Sequence, residues 1–426
     1  MTRHVPSLAA LLLTLACGGP PSSTTPDEVV TLEEMRIVAR GEDSGGHVFE
    51  SYDAGQLFEQ GTTLLNEGHC REAVERFYDR IPDEFPTSRY VGPSLYNAGL
   101  CLQQGNEAEA ALPYFESLLE RLPNSRDARH AAMQLLQINV HLERWDEGLA
   151  LADRVLLRED LTAPERLEVL ARRAQVLLGH ERIEDAERQA RDALSYYRRQ
   201  EQTGQVGDPY FAATANFVLA ESMRLRAEAM DVPAGTAQEQ HEVLDRRAQL
   251  LLDAQREYFD TIRHTNPELA SAAGYRIGSM YDQLWHAMMR APIPPPNEPM
   301  NDATQAMYEE EYRAELARHI RPLLRHAIRY WELTLLMVER TGVQSDWTER
   351  TREDLDRMRT LLLEQTDVED PERSESDPPA DARTSMWRGL PSTIGATSLS
   401  QLESQLAHVT PAPRSPVRAS AWALVQ

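Results

Sequence analysis

At 426 residues the chain has room for two or three domains, or for a long array of repeats. Its composition is that of a folded globular protein, 41% hydrophobic and 26% charged, and 68 acidic against 44 basic residues leave a formal net charge of -24. An acidic surface of this strength excludes nucleic acid and anionic lipid headgroups as general partners. Every basic residue is Arg and none is Lys, a bias that fits a GC-rich genome better than selection for bidentate contacts.

Arg3, the apolar run Leu8 to Ala16 and the small-residue stretch Thr14-Leu15-Ala16-Cys17-Gly18-Gly19 have the layout of an export signal. The run is nine residues long, far short of the ~20 needed to cross a bilayer. Its end resembles a bacterial lipobox, in which cleavage precedes a Cys whose thiol is then lipidated, although Thr14 stands where Leu is usual. The resemblance implies a lipoprotein signal peptide over residues 1–17, lipidation at Cys17 and attachment to the membrane through that lipid. By the sorting habits of enteric bacteria, the absence of Asp at position 18 implies an outer-membrane lipoprotein facing the periplasm. The other reading is an ordinary secretory signal and a soluble secreted or periplasmic product.

Residues 18–50 are expected to be a flexible tether. Positions 18–30 (GGPPSSTTPDEVV) are rich in Pro, Ser, Thr and Gly, while Glu33-Glu34 and Ser44-Gly45-Gly46 mark a short element followed by a break. From 51 to 200 a helical period takes over, and a phrase recurs. Gly68, Ala73, Phe77 and Pro86 reappear 37 residues later as Gly105, Ala110, Tyr114 and Pro123, with weaker echoes at Gly148 and Ala186. A fixed period of this size means stacked helical hairpins, here four, with turns at Gly68, Gly105, Glu143-Arg144-Trp145 and Glu181-Arg182-Ile183. Cys70 and Cys101 fall on antiparallel neighbouring helices. They either pair in a disulfide worth roughly 3 kcal/mol, or serve as two small buried apolar residues.

These hairpins resemble the tetratricopeptide repeat family, whose pattern has a small residue facing the partner helix, Ala four residues ahead of an aromatic, and a closing Pro. Gly61 and Ala98 match the small site; Ala73 with Phe77, and Ala110 with Tyr114, match the pair. In the fourth hairpin Ala186, Ala190 and Ala193 supply small residues, Ala190 replacing the aromatic, and Gly148 replaces Ala in the third. The links Pro86-Thr87-Ser88 and Pro123-Asn124-Ser125 are similar to those of bacterial envelope lipoproteins that assist outer-membrane assembly. The fold class implied is all-α, an α-solenoid of tetratricopeptide hairpins with a degenerate helical C-terminal half and disordered termini.

Residues 205–365 keep helical periodicity in a changed register. Helices are expected over 209–229 and 237–263, then a hairpin boundary and first helix around Tyr258, Pro267, Ala272, Gly278 and Tyr281. A Pro-rich insertion over 291–303 interrupts it. Tyr308 to Glu339 is expected to form one kinked or two consecutive helices broken at Pro322, and a last helix spans 345–364 with Trp347, Leu355, Met358, Leu361 and Leu362 buried. This half is similar to those of tetratricopeptide lipoproteins of myxobacteria and their relatives, some assigned to gliding motility. Residues 366–426 have the composition of a disordered tail, closing on Arg414, Arg418 and Ala421-Trp422-Ala423-Leu424-Val425, which read either as a docking peptide or as an unselected end.

No metal or cofactor site is expected. His241-Glu242 is followed by Asp245 where a zinc motif needs His, and His319 and His326 are seven residues apart across Pro322. Glu309-Glu310-Glu311 reads as a solvated helix face. No phosphate loop or nucleophile elbow is present in the sequence, so no enzyme and no small-molecule substrate is expected. In the resembled family the first helix of each hairpin lines a concave groove. By register that face comprises Phe58, Glu59, Thr62 and Asn66, then Tyr96 and Gln103, then His130, Gln134, Gln137 and His141, and finally Arg172 and Gln175. Amides and aromatics dominate it, so the expected ligand is a protein segment hydrogen-bonded by Gln and stacked on Tyr96 or Phe58. The sequence thus points to a lipid-anchored scaffold for partners in a cell-envelope complex, connected to motility by the last resemblance. Alternatives are an assembly factor for outer-membrane proteins, and an enzyme or regulatory subunit acting through the C-terminal half.

Overall fold

The computed structural model describes residues 33–41, 47–264, 266–296 and 300–367. The expected signal peptide, Cys17, residues 18–32 of the tether and the tail beyond 367 lie outside them. Within them the protein is mostly α-helical, with one two-stranded sheet.

That sheet corrects the tether assignment. β1 (Met35–Gly41) and β2 (His47–Asp53) pair antiparallel from Met35↔Asp53 to Gly41↔His47. β-branched and aromatic residues crowd both segments (Ile37, Val38, Val48, Phe49, Tyr52), which favours extended backbone over coil. Asp53 ends β2 and caps α1 (Ala54–Asn66) through a reciprocal box with Gln56, its carboxylate accepting from the Gln56 N–H at 2.8 Å.

The second helix of this hairpin has three parts: α2 (Cys70–Ala73), a π turn (Val74–Tyr78) and α3 (Arg80–Glu84). Three hairpins follow as α4 (Val91–Gln104) with α5 (Ala108–Arg121), α6 (Arg126–His141) with α7 (Trp145–Leu156), and α8 (Ala163–Gly179) with α9 (Ile183–Gln202). α1, α4, α6 and α8 end in the same way. Gly68, Asn106, Glu143 and Glu181 take left-handed backbone, with φ of 83, 62, 55 and 58°. The next N–H then reaches back five residues, His69 to Leu64, Glu107 to Leu102, Arg144 to Asn139 and Arg182 to Leu177, at 2.8–2.9 Å. This closure satisfies carbonyls that a helix end otherwise leaves open. The repeat is therefore expressed in backbone geometry at steps of 37 or 38 residues, although Asn106, not Gly105, carries the turn.

Side-chain packing corrects the repeat's phase. Ala73 is buried as expected, but the fully buried aromatic is Tyr78 rather than Phe77, and the π turn between them widens the spacing from Ala to ring to five residues. The following hairpin has no such turn, and its buried pair is Ala111 with Phe115; Ala110 is exposed and Tyr114 half-buried. Both rings sit on glycine. A Cβ at Gly61 would lie 2.8 Å from Tyr78, and one at Gly99 would lie 2.6 Å from Phe115, so Gly99 rather than Ala98 makes the close approach. Cys70 and Cys101 form a disulfide that ties α2 to α4, with Cα atoms 5.3 Å apart.

The C-terminal half comprises α10 (Tyr210–Glu228), α11 (Ala237–Arg263), α12 (Pro267–Arg290), α13 (Asp302–Thr341) and α14 (Asp346–Asp367). Thr236 starts α11 with a capping box to Glu239, worth about 1 kcal/mol. Of the two expected forms the structure has the single helix, α13 running through Pro322 for 40 residues rather than breaking into two there. Leu316, Ile320, Leu324 and Ala327 straddle that proline as one buried stripe, and their packing outweighs the lost backbone bond. The glycine device recurs here: a Cβ at Gly278 would meet Trp331, whose indole N–H donates to the Tyr275 carbonyl at 3.0 Å.

Buried side chains form two clusters that meet on α8, where Val169 joins the first, and Leu167 and Ala171 the second. The core thus divides before the sequence repeat fades. At the centre of the second cluster Glu221, 2% exposed, accepts from Arg224 at 2.7 Å, faces Arg276 at 3.1 Å and accepts the Tyr258 hydroxyl. Burial pushes its carboxyl up, but the two guanidinium groups and the Tyr258 bond win and hold it at about 2.

From α4 onward each helix packs on the next, and the even-numbered helices α4, α6, α8, α10, α12 and α14 also touch in series. That second set of contacts places the first helix of each hairpin beside its counterpart.

Candidate partner-binding face

The expected groove residues divide into three groups. Around α1, Phe58 is half-buried between Tyr78 and Tyr90, with ring centroids at 5.9 and 5.2 Å. Thr62 donates to the Phe58 carbonyl and lies 3.2 Å from the Tyr78 hydroxyl, which also accepts from Asn97 at 3.3 Å. Glu59 and Asn66 are exposed on the same helix. The aromatic part of this end is structural, since its rings are engaged with one another.

The middle group comes together. Tyr96 of α4 packs edge-on against Phe115 at 5.9 Å and meets the His130 ring of α6 at 6.2 Å. Burial raises the Tyr96 phenol above its usual range, and a hydrogen bond with Gln134 opposes the rise. The side-chain oxygens of Gln103 and Gln134 are buried without a hydrogen-bond partner. Unmade bonds of this kind cost about 1–3 kcal/mol each. His130 lies 4.0 Å from Glu165, which is engaged more closely by Arg129 at 3.0 Å. His141 is half-buried at the far end of α6.

The third group is the correction. Arg172 and Gln175 are 5% and 7% exposed and line the interior rather than a groove. Arg172 donates to Glu168 at 2.8 Å and to Gln137 at 3.3 Å, and its guanidinium lies over the Phe211 ring at 5.3 Å. α10 therefore covers this end of the face through Phe211, and occupies Gln137 indirectly through Arg172. A residue missed in the sequence is Asn97, which stands 37 before Gln134 as Gln134 stands 38 before Arg172. The repeat step itself was the signal.

A second, shallow concavity lies beside the Pro-rich segment, bounded by Leu244, Met288, Pro294, Tyr312 and Leu316. Gln240 pins the segment by donating to the carbonyls of Pro233 and Pro292 at 3.0 and 2.9 Å, and the Tyr308 hydroxyl donates to that of Pro294 at 3.1 Å. At its rim His241 faces Asp245 at 3.5 Å, a pairing one helical turn apart. His319 is held by Glu315 at 2.9 Å, while His326 packs against Tyr281 at 5.2 Å, so those two histidines do not converge. Among the described residues no three His, Cys, Asp or Glu side chains gather as metal ligands, and no helix is long and apolar enough to cross a membrane.

What the fold and face define is a mostly helical protein with a polar and aromatic strip along neighbouring helices. No known protein-family model matches the chain, and no curated protein sequence resembles it significantly.

Proposed function

We propose that the chain is a non-enzymatic scaffold of the tetratricopeptide type, carried on a lipidated Cys17 at the periplasmic face of the outer membrane, that binds protein partners in a cell-envelope complex. The observation that supports this reading is the middle strip, where Tyr96 of α4 meets His130 and Gln134 of α6. An extended backbone offers N–H donors at regular intervals, and its side chains can stack on Tyr96. The contact of the even-numbered helices in series also fits a stacked array.

Co-purification from detergent-solubilised envelopes tests the reading. Partners held by the wild type are expected to be lost from a Tyr96→Ala/Gln134→Ala double variant that elutes and melts like the parent. Partners retained by that variant refute this face as the binding site. A role in motility or in outer-membrane protein assembly rests on the sequence resemblances alone; barrel proteins unaffected by depletion would remove the second. The Pro-bounded cleft with His241 and Asp245 favours a further reading, in which the C-terminal half acts on a ligand. In that case a full-length His241→Ala variant loses an activity while its partners still co-purify.

A further inference from the structure

The hairpin β1–β2 has one apolar face that nothing in the described structure covers. In the pairing register Arg36, Val38, Glu50 and Tyr52 share one face, and Met35, Ile37, Ala39, Phe49 and Ser51 share the other. The first face is fastened to the helical body. Tyr52 meets Phe85 edge-on at 6.1 Å and donates to Glu84 at 2.6 Å, while Arg36 donates to the Glu84 carbonyl at 2.9 Å. The second face points away, and Met35, Ile37 and Phe49 are 61%, 69% and 71% exposed. A sheet covered on one side normally turns polar residues to water. Here the turned-out face is the more apolar one, and such a patch marks an interaction surface.

We infer that this face lies on the surface of the lipid bilayer that holds the chain, an inference that rests on reading Cys17 as the lipidation site. Met35 is 18 residues beyond Cys17. At a maximum of ~3.6 Å per residue, the hairpin cannot stand farther than about 65 Å from the anchored end. Met35, Ile37, Ala39, Phe49 and Ser51 carry no charge, His47 stands at the loop end of the same face opposite Gly41, and Asp53 at the other end is engaged in capping α1. An uncharged Met, Ile and Phe strip suits insertion about 5–10 Å into the boundary between headgroups and acyl chains. The chain's charge of -24 opposes approach to anionic lipid, so the surface it fits is zwitterionic. Because Arg36 and Tyr52 fasten the hairpin to α3, lipid contact would fix the orientation of the helices as well as their distance from the membrane.

The experiment places an environment-sensitive fluorophore at Ala39→Cys in the mature lipidated chain bound to phosphatidylcholine vesicles, with a control label at Glu50→Cys on the opposite face. The label at 39 is expected to shift to the blue and be quenched by spin-labelled acyl chains, and the label at 50 is not. Adding Ile37→Ser and Phe49→Ser should abolish the quenching while the protein still floats with the vesicles. A water-like label at 39 on floating vesicles overturns the inference and leaves the anchor standing; so does a label that changes only when a second protein binds. If the chain fails to float, the anchor reading falls. The labels are then read on a chain whose residues 1–17 are replaced by a polyhistidine held on nickel-chelating phosphatidylcholine vesicles, and quenching at 39 still decides the face.

Discussion

Replacing Glu221 by Gln removes the charge that holds Arg224 and Arg276 inside the second core cluster. The magnitude follows from the carboxyl's displacement from 4.5 to about 2. About 2.5 units at ~1.36 kcal/mol each amount to about 3 kcal/mol of stability supplied by the ionised form. Leaving two guanidinium groups without their carboxylate falls in the same range, about 3–5 kcal/mol. The sign is that of a depressed carboxyl: its contribution is complete above 4.5 and is lost as pH falls towards 2. Urea denaturation followed by the fluorescence of Trp285, Trp331 and Trp347, all buried in this cluster, reads the effect. Near pH 7 the variant should be about 3 kcal/mol less stable than the parent, and more than half of that gap should have closed by about pH 3. A gap below about 1 kcal/mol, or one that does not change with pH, refutes the assignment.

The disulfide between Cys70 and Cys101 closes a separation of 31 residues, so its removal in a Cys70→Ala/Cys101→Ala variant should cost about 3–4 kcal/mol in opening α1 to α4. Hydrogen exchange of those helices measures it, and two free thiols in the denatured, unreduced protein would contradict it. Glu181 holds a left-handed turn that suits glycine, and Glu181→Gly should raise stability by about 0.5–1 kcal/mol in thermal melts; a loss would refute the strain argument. Burial lifts the Glu268 carboxyl to about 7, so its ionisation destabilises the fold as pH rises from 4.5 through 7. Glu268→Gln should therefore match the parent below about pH 4 and exceed it above about pH 8 by about 1–3 kcal/mol, and equal curves at both ends would contradict the shift.

The helices and their turns were legible because they rest on local rules. The 37-residue beat located the turns of the first four hairpins, and apolar period located α10, α11 and α14 within a few residues. What escaped was set by packing. The buried aromatics are Tyr78 and Phe115, themselves 37 residues apart, and the adjacent ring at Phe77 and Tyr114 repeats at the same step, so the repeat alone does not say which of the two rings faces inward. Pro322 reads as a break until the stripe it interrupts is seen buried on both sides. Arg172 and Gln175 were assigned to the face by register, but both are buried, and Phe211, from the helix where the beat fades, lies against Arg172. The pairing of Cys70 with Cys101 depended on helix rotation, which spacing does not determine. β1 and β2 were hidden by neighbouring Pro, Ser and Gly that favoured the tether reading.

The central claim is that the strip around Tyr96 and Gln134 holds a protein partner. A photo-crosslinking residue at Gln134 in living cells tests it, with one at exposed Glu116 on α5 as control. The account predicts discrete protein adducts from position 134, suppressed by Tyr96→Ala, and none from position 116. Adducts of equal yield from both positions, or adducts at 134 that survive Tyr96→Ala unchanged, would contradict it.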